Sequence, residues 1–244
     1  MGKTTAAISL AAVWASEGRP TLLIDMDPQG NAGAGLGIDE ASLEWTVAEV
    51  LRGECEPKDA VMATGVEHLF LLPADIGLAA LEAEEVAASA LAPVVRKLHD
   101  DFERIVIDCP PSLGRLTLCA LAAADRVLVP IRAGKLSMVG LRQLLTTIDN
   151  VRVRGINPSV RPLGIFINEA QPRTHLHQRT EEAVRSIYGE LVMDTCIPAN
   201  VALGEAVTLG RPITSYAPDA AGSRAFRALA EEVNTRWHRV VRIA

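Results

Sequence analysis

Gly2-Lys3-Thr4-Thr5 runs directly into a helical pattern of Ile8, Ala11, Ala12, Trp14 and Ala15. Gly-Lys-Thr at a helix start is the second half of a phosphate-binding loop. Helix-start N–H groups point at phosphate oxygens, and the helix dipole favours their negative charge. In that setting Lys3 reaches the terminal phosphates as a point charge, and Thr4 offers its hydroxyl to Mg²⁺. An ordinary exposed N-terminus would carry the same four residues, so the motif needs partners.

Two further segments supply candidates. In Leu22-Leu23-Ile24-Asp25-Met26-Asp27-Pro28-Gln29-Gly30-Asn31, two carboxylates one residue apart follow an apolar run. They form either a turn or helix-capping cluster, or a site where one carboxylate orients a water beside a metal-bound triphosphate. In Phe102–Ser112, the run Ile105-Val106-Ile107 ends in Asp108. A strand ending in aspartate near a phosphate loop reads as a Walker B-type Mg²⁺ partner that acts through water.

Positioning these groups requires a sheet. Apolar runs at 21–25, 69–72, 105–108, 127–131, 163–167 and 191–197 are mostly continuous rather than alternating, as in parallel strands covered on both faces. Helical patterns lie between and after them, near 4–17, 45–52, 77–99, 115–123, 137–152, 176–188 and 220–241. That alternation predicts an α/β fold, a doubly wound and mostly parallel sheet with helices on both faces, in one domain over residues 1–244. Ligands of such sheets bind beyond the carboxyl ends of the strands. Asp25 and Asp27, Asp108, Asn168, and Pro198 with Asn200 all sit there. Each alone could be a turn former; four strand ends together point to a site.

Composition excludes several classes. With 244 residues, 49% of them hydrophobic, the chain is no disordered tail. Four cysteines without a C-x-x-C pair argue against both a disulfide scaffold and a metal knuckle. No apolar run reaches the ~18 residues that suggest a membrane span. No secretory pattern opens the chain, so cytoplasm is expected. The net charge is −6, but unevenly spread: residues 142–244 hold thirteen arginines and no lysine against ten acids. Such a basic part could touch an anionic polymer or simply be a solvated face. His175-x-His177 reads as an exposed polar loop rather than a metal pair. Phe226, Leu229, Ala230, Val233, Trp237, Val240 and Val241 recur at helical spacing near Arg236, Arg239 and Arg242. That is either a helix packed on the sheet or an amphipathic membrane anchor, and packing is expected.

Taken together, LLIDMDPQGNA, IVIDCPPSLG with LTLCALAAADRVLVPI, GLRQLL, GIFINEAQPRT and IPANVALGEAVTLGRPITSY resemble the ParA/MinD branch of P-loop ATPases with a deviant Walker A loop. The likeness is nearest to ParA/Soj-type partitioning ATPases and spans nearly the whole chain. It implies that Lys3 is the phosphate-loop lysine and Thr4 a Mg²⁺ ligand, with Gly2 and Thr5 completing the loop. It makes Asp27 the switch I residue that positions the attacking water, Asp25 a support for that loop and Asp108 the Walker B carboxylate. It places Asn168 and Pro198 against the adenine ring. It further implies ATP and Mg²⁺ as cofactors, an ATP-driven homodimer, non-specific DNA binding in the nucleoid, and a ParB-like activator.

Two departures stand out. The family loop carries Lys-Gly-Gly-x before Gly-Lys-Thr, and a central strand before that; here Met1 precedes Gly2. The expectation is a sheet lacking its first strand, with Met1 standing where a loop residue such as Val belongs and the native start upstream. Ala199 and Ala202 also stand where relatives often carry DNA-binding arginines, which leaves Arg185, Arg211, Arg224 and Arg227 as candidates. Two alternatives follow: a MinD-like membrane or cargo positioning ATPase, and a nucleotide-free scaffold.

Overall fold

The computed structural model describes residues 2–84, 86–132 and 135–237. Met1, Arg239, Val240, Val241 and Arg242 lie outside them. The alanine-rich segment after Gly2 forms α1 (Lys3–Ser16), apolar on nearly every side. A helix of that kind belongs in an interior. Its small side chains, Ala6, Ala7, Ala11, Ala12 and Ala15, are all buried.

The chain continues through β1 (Thr21–Asp25), α2 (Asn31–Gly35), α3 (Val47–Arg52), β2 (Met62–Ala63), β3 (Leu69–Leu72), α4 (Ala80–Ala83), α5 (Leu91–Leu98) and β4 (Arg104–Asp108). It then forms α6 (Arg115–Ala123), β5 (Arg126–Ile131), α7 (Lys135–Val153), β6 (Arg161–Ile167), α8 (His175–Tyr188), α9 (Val201–Thr208), α10 (Ile213–Tyr216) and α11 (Ala221–Arg236).

Strands β3, β1 and β4 are parallel neighbours, and the short β2 adds antiparallel to β3. Strands β5 and β6 form a separate parallel pair. Among the described residues, β4 pairs with β1 alone and β5 with β6 alone. Trp237 lies between the first residues of those two strands, with the Arg104 guanidinium 5.6 Å and the Arg126 guanidinium 5.9 Å from its ring centre. Such contacts contribute about 0.5–1 kcal/mol each when exposed.

Both faces of β1 are covered. Leu22, Ile24 and Met26 join a core with Val47, Leu72, Leu78, Leu91 and Leu116, while Leu23 joins Ile8, Ala11, Leu69 and Leu71 under α1. A third cluster packs α1 against α11 through Trp14, Phe166, Phe226 and Leu229. The fourth binds α7 and α8 to β5 and β6.

Two predicted elements differ, and a helix appears where none was predicted. The helix expected over 77–99 is broken: α4 ends at Ala83 and α5 starts at Leu91. Pro93 is the cause, since a proline is tolerated only in a first turn. The run 191–197 is no strand. It lies along β6 without forming a regular ladder: Val192 makes an isolated bridge with Ile165, and the Met193 and Ile197 N–H groups donate to Ile165 O at 2.7 Å and Ile167 O at 2.9 Å. The Asp194 and Thr195 N–H groups instead donate to the Glu232 carboxylate at 2.8 and 2.9 Å. Helix α9 was not anticipated; its signal was Asn200, whose side chain accepts from the Ala202 N–H at 2.9 Å.

Candidate active site

The N-terminus of α1 is built to face an anion. Gly2 adopts φ 70°, in the left-handed region, and a Cβ there would collide with the Asn168 amide nitrogen. No side chain caps the helix and no acid occupies its first turn. Its first N–H groups and the positive end of its dipole are therefore left for a ligand.

Opposite stand the ends of β1 and β4, whose register sets Asp25 directly beside Asp108. Adjacent strands lie about 4.8 Å apart, so the two carboxylates share one rim. Asp25 is wholly buried and spends both oxygens on backbone: Oδ1 accepts from Asp27 N–H at 2.9 Å and Oδ2 from Ala32 N–H at 3.0 Å. Burial pushes its pKa up to about 7, helped by the charges of Asp108 and Asp27 and opposed by those two donors. Asp25 thus folds the segment that carries Asp27. Asp27 is 7% exposed, and its Oδ1 accepts from the Gln29 N–H at 3.1 Å. That is the turn-former geometry; it also fixes the direction of the carboxylate.

Asp108 differs from Asp25. One oxygen accepts from the Cys109 N–H at 3.1 Å, while Oδ2 is buried without a hydrogen-bond partner. Burial pushes the pKa to about 6; the neighbouring Thr4 hydroxyl and the Lys3 charge pull against this, and Asp27 adds to it. Lys3, Thr4, Asp27, Asp25 and Asp108 are thereby brought together. Burial and the neighbouring carboxylates push the Cys109 thiol up to about 12, which favours its protonated form.

The donor set can be tested against Mg²⁺. An orphaned buried carboxylate oxygen beside a threonine hydroxyl offers hard oxygen ligands, and Mg²⁺ commonly takes only one or two from protein, filling the rest with water and phosphate. The residues fit. Among the described residues, no group of three or more His, Cys, Asp or Glu could cage an ion. That argues against a dedicated all-protein metal site and leaves this sparse arrangement.

A second wall comes from β6. Asn168 is buried beside Gly2, and its N–H donates to Ile131 O at 2.7 Å. Ala170 and Pro198 form a bridge, so the segment with Pro198 is stitched to the loop after β6. Thr5 instead lines a small cavity between α1, α2 and α9, away from the carboxylates. The arginine candidates divide. Arg224 and Arg227 are exposed at the start of α11, bonded to the Asp219 and Pro218 carbonyls, and Arg211 bonds the Ser215 carbonyl. Arg185 lies on α8, paired with Glu181 at 2.9 Å.

One expectation is corrected here. His175 and His177 lie on α8 rather than in an exposed loop, and His177 is 2% exposed. Thr174 capping that helix was the available signal. The packing expected of the last helix is seen in its described residues: Phe226, Leu229, Ala230 and Val233 are buried in the core. Among the described residues, no helix is long and apolar enough to cross a membrane. Sequence reasoning also missed Arg132, paired with Glu169 at 2.5 Å, because the two are distant in the chain.

Comparison with known proteins gives the family. Residues 1–161 match a family model described as an AAA domain. The chromosome partitioning protein ParA of Myxococcus xanthus is 40% identical over 240 residues, covering 97% of this chain and 84% of that protein. The chromosome-partitioning ATPase Soj of Thermus thermophilus is 42% identical over 237 residues, covering 97% and 92%. A solved structure named cobyrinic acid a,c-diamide synthase, from Mycobacterium smegmatis with bound ATP analogue and magnesium, superposes with a TM-score of 0.83 at 35% identity, covering 98% of this chain and 91% of that one. By sequence, by fold and by the residues gathered at its rim, this chain belongs to the ParA/Soj family of partitioning ATPases.

Proposed function

We propose that the chain is a Mg²⁺-dependent ATPase of DNA partitioning. The observation that carries this reading is the pairing of Asp25 with Asp108 in register, opposite an uncapped helix start that bears Lys3 and Thr4. Helix N–H groups and the Lys3 ammonium bind the phosphates. Thr4 and Asp108 hold Mg²⁺, the latter through water. When bound, Mg²⁺ neutralises charge on the phosphate oxygens. Asp27 orients the attacking water and accepts its proton, and Asp25 keeps Asp27 in place through the backbone. Asn168 and Pro198 flank the base. Catalysis is positioning plus electrostatic stabilisation, as is usual for phosphoryl transfer.

ATP then acts as a timer. Binding favours a homodimer only by its differential affinity for that state, and hydrolysis releases it. The dimer binds DNA without sequence preference through Arg211, Arg224 and Arg227, with Arg185 the weakest candidate because Glu181 neutralises it. Counterion release makes that binding strongly salt-dependent. A ParB-like protein stimulates turnover, and the protein is cytoplasmic and associated with the nucleoid.

ATP hydrolysis and ATP binding, each with and without DNA, test the reading. Asp27→Ala is expected to keep ATP binding and lose about a hundredfold in turnover, in the range of removing one transition-state contact. Loss of binding instead would move Asp27 out of the catalytic role. DNA affinity that is unchanged between low and moderate salt would remove the arginine face.

A further inference from the structure

The loop leaving β6 is held in a costly shape. Glu169 adopts φ 53°, one of only two non-glycine residues with positive φ among those described. A non-glycine residue there costs on the order of 1 kcal/mol and persists only when its surroundings fix it. Four contacts do so. Arg132 pairs with the Glu169 carboxylate at 2.5 Å. Ala170 N–H donates to Ile197 O at 2.8 Å, and Ala199 N–H donates to Ala170 O at 3.1 Å. The fourth is His177. Its Nδ1 accepts from the Gln171 N–H at 3.4 Å, while Nε2 lies 3.3 Å from Glu181 Oε2. A backbone N–H can only donate, so Nδ1 is the acceptor and the proton resides on Nε2, directed at Glu181. Thr174 reinforces the turn: its hydroxyl donates to Gln171 O at 3.0 Å and accepts from His177 N–H at 3.3 Å.

We infer that His177 is a positioning residue for recognition of the nucleotide base. The inference rests on the ATPase reading, which puts Asn168 and Pro198 against adenine. His177 touches neither the base nor the phosphates. It fixes the backbone three residues beyond Asn168, in the loop that is also bonded to the Pro198 segment. Gln171 N–H would otherwise be left without its side-chain acceptor behind a strained turn. The phosphate half of the site, on α1, β1 and β4, has no bond to His177.

The two halves of ATP separate the possibilities. Affinities for ATP and for inorganic tripolyphosphate, both with Mg²⁺, are measured on the wild type, His177→Leu and His177→Asn. Leucine fills the space without an acceptor; asparagine carries an oxygen near the place of Nδ1. His177→Leu is expected to weaken ATP about fivefold, the size of one net hydrogen bond, and to leave tripolyphosphate within about twofold. His177→Asn is expected to retain ATP affinity within about twofold, by the same arithmetic. Unchanged ATP affinity in His177→Leu overturns the inference, and so do equal losses for both probes or a His177→Asn variant as weak as His177→Leu. A wild-type chain that binds tripolyphosphate but gains nothing from the base overturns the assignment of His177 while sparing the phosphate site. One that binds neither probe overturns the ATPase reading itself, and this inference with it.

Discussion

Strands β1 and β4 lie side by side, point the same way and end in aligned aspartates. Strand β1 is flanked by β3 and β4, and every residue of it is buried. Strand β4 has β1 on one side only, and Arg104 to Ile107 are partly exposed. Both carboxylates are buried, and they differ in their partners. Asp25 gives both oxygens to backbone N–H groups, whereas Asp108 leaves one without a partner. Two aspartates at the ends of similar apolar runs therefore differ in kind. The one that spends both oxygens on backbone organises a loop, and the other keeps an oxygen for chemistry.

Exchange of each carboxylate for its amide breaks the comparison most sharply. Asp108→Asn is expected to reduce ATP turnover by about a thousandfold, near the upper range for losing one electrostatic contact. Its stability should hold or rise, because the desolvated carboxylate charge that burial penalises disappears. Asp25→Asn is expected to cost about 2–3 kcal/mol of stability, because an amide NH₂ must then face a backbone N–H that the carboxylate satisfied. Urea unfolding beside steady-state turnover reads both effects. If Asp25→Asn lost activity at full stability, the division of labour would be reversed.

The next test uses two isoleucines paired in register, Ile24 on β1 and Ile107 on β4. Ile24 is fully buried, and Ile107 packs only partly against the same core. Ile24→Ala should cost about 4 kcal/mol and Ile107→Ala about 2, since the cost scales with the buried volume lost. Equal losses in urea unfolding would mean that the partial exposure of Ile107 does not weaken its packing.

This contrast also marks what could be read in the chain itself. Continuous apolar runs located β1, β3, β4, β5 and β6 within a residue or two, because burial on both faces leaves a local signature; only those of β1 and β4 end in Asp. The rim residues were legible for the same reason: strand ends fall where the apolar run stops. What surrounds a strand leaves no such mark. TLLID and RIVID look alike, and nothing in either tells that one is interior and the other partly open. Register is equally silent, so the alignment of Asp25 with Asp108 emerged only from the fold. His177 was misplaced because its burial depends on Gln171 and Glu181 converging on it, and Arg132 and Glu169 are too far apart in sequence to announce an ion pair.

The smallest expected effect is on pH, and it has an unusual sign. Acids in folded proteins usually have lowered pKa values, so stability falls as they are protonated. Asp25 and Asp108 are raised by burial, to about 7 and about 6, from 3.8. The nucleotide-free folded chain therefore binds more protons than the unfolded one between those limits. Stability contributed by protonation is present at the acid end and is lost as pH rises, through 6 for Asp108 and through 7 for Asp25. Glu49 and Glu232 are lowered from 4.5 by hydrogen bonds from backbone N–H groups and, for Glu49, the Thr46 hydroxyl, and their contribution disappears only at more acid pH. Between about pH 5 and 6 the two aspartates should dominate, with stability falling by on the order of 1 kcal/mol per pH unit as pH rises. Asp108→Asn should flatten that slope below pH 6 and leave the part that runs toward 7. Denaturant unfolding at half-unit steps would show it. A slope of the opposite sign across pH 5 to 6 in the wild type would mean that both carboxylates are charged in the free protein, and that the rim is already held together by Lys3 before any nucleotide arrives.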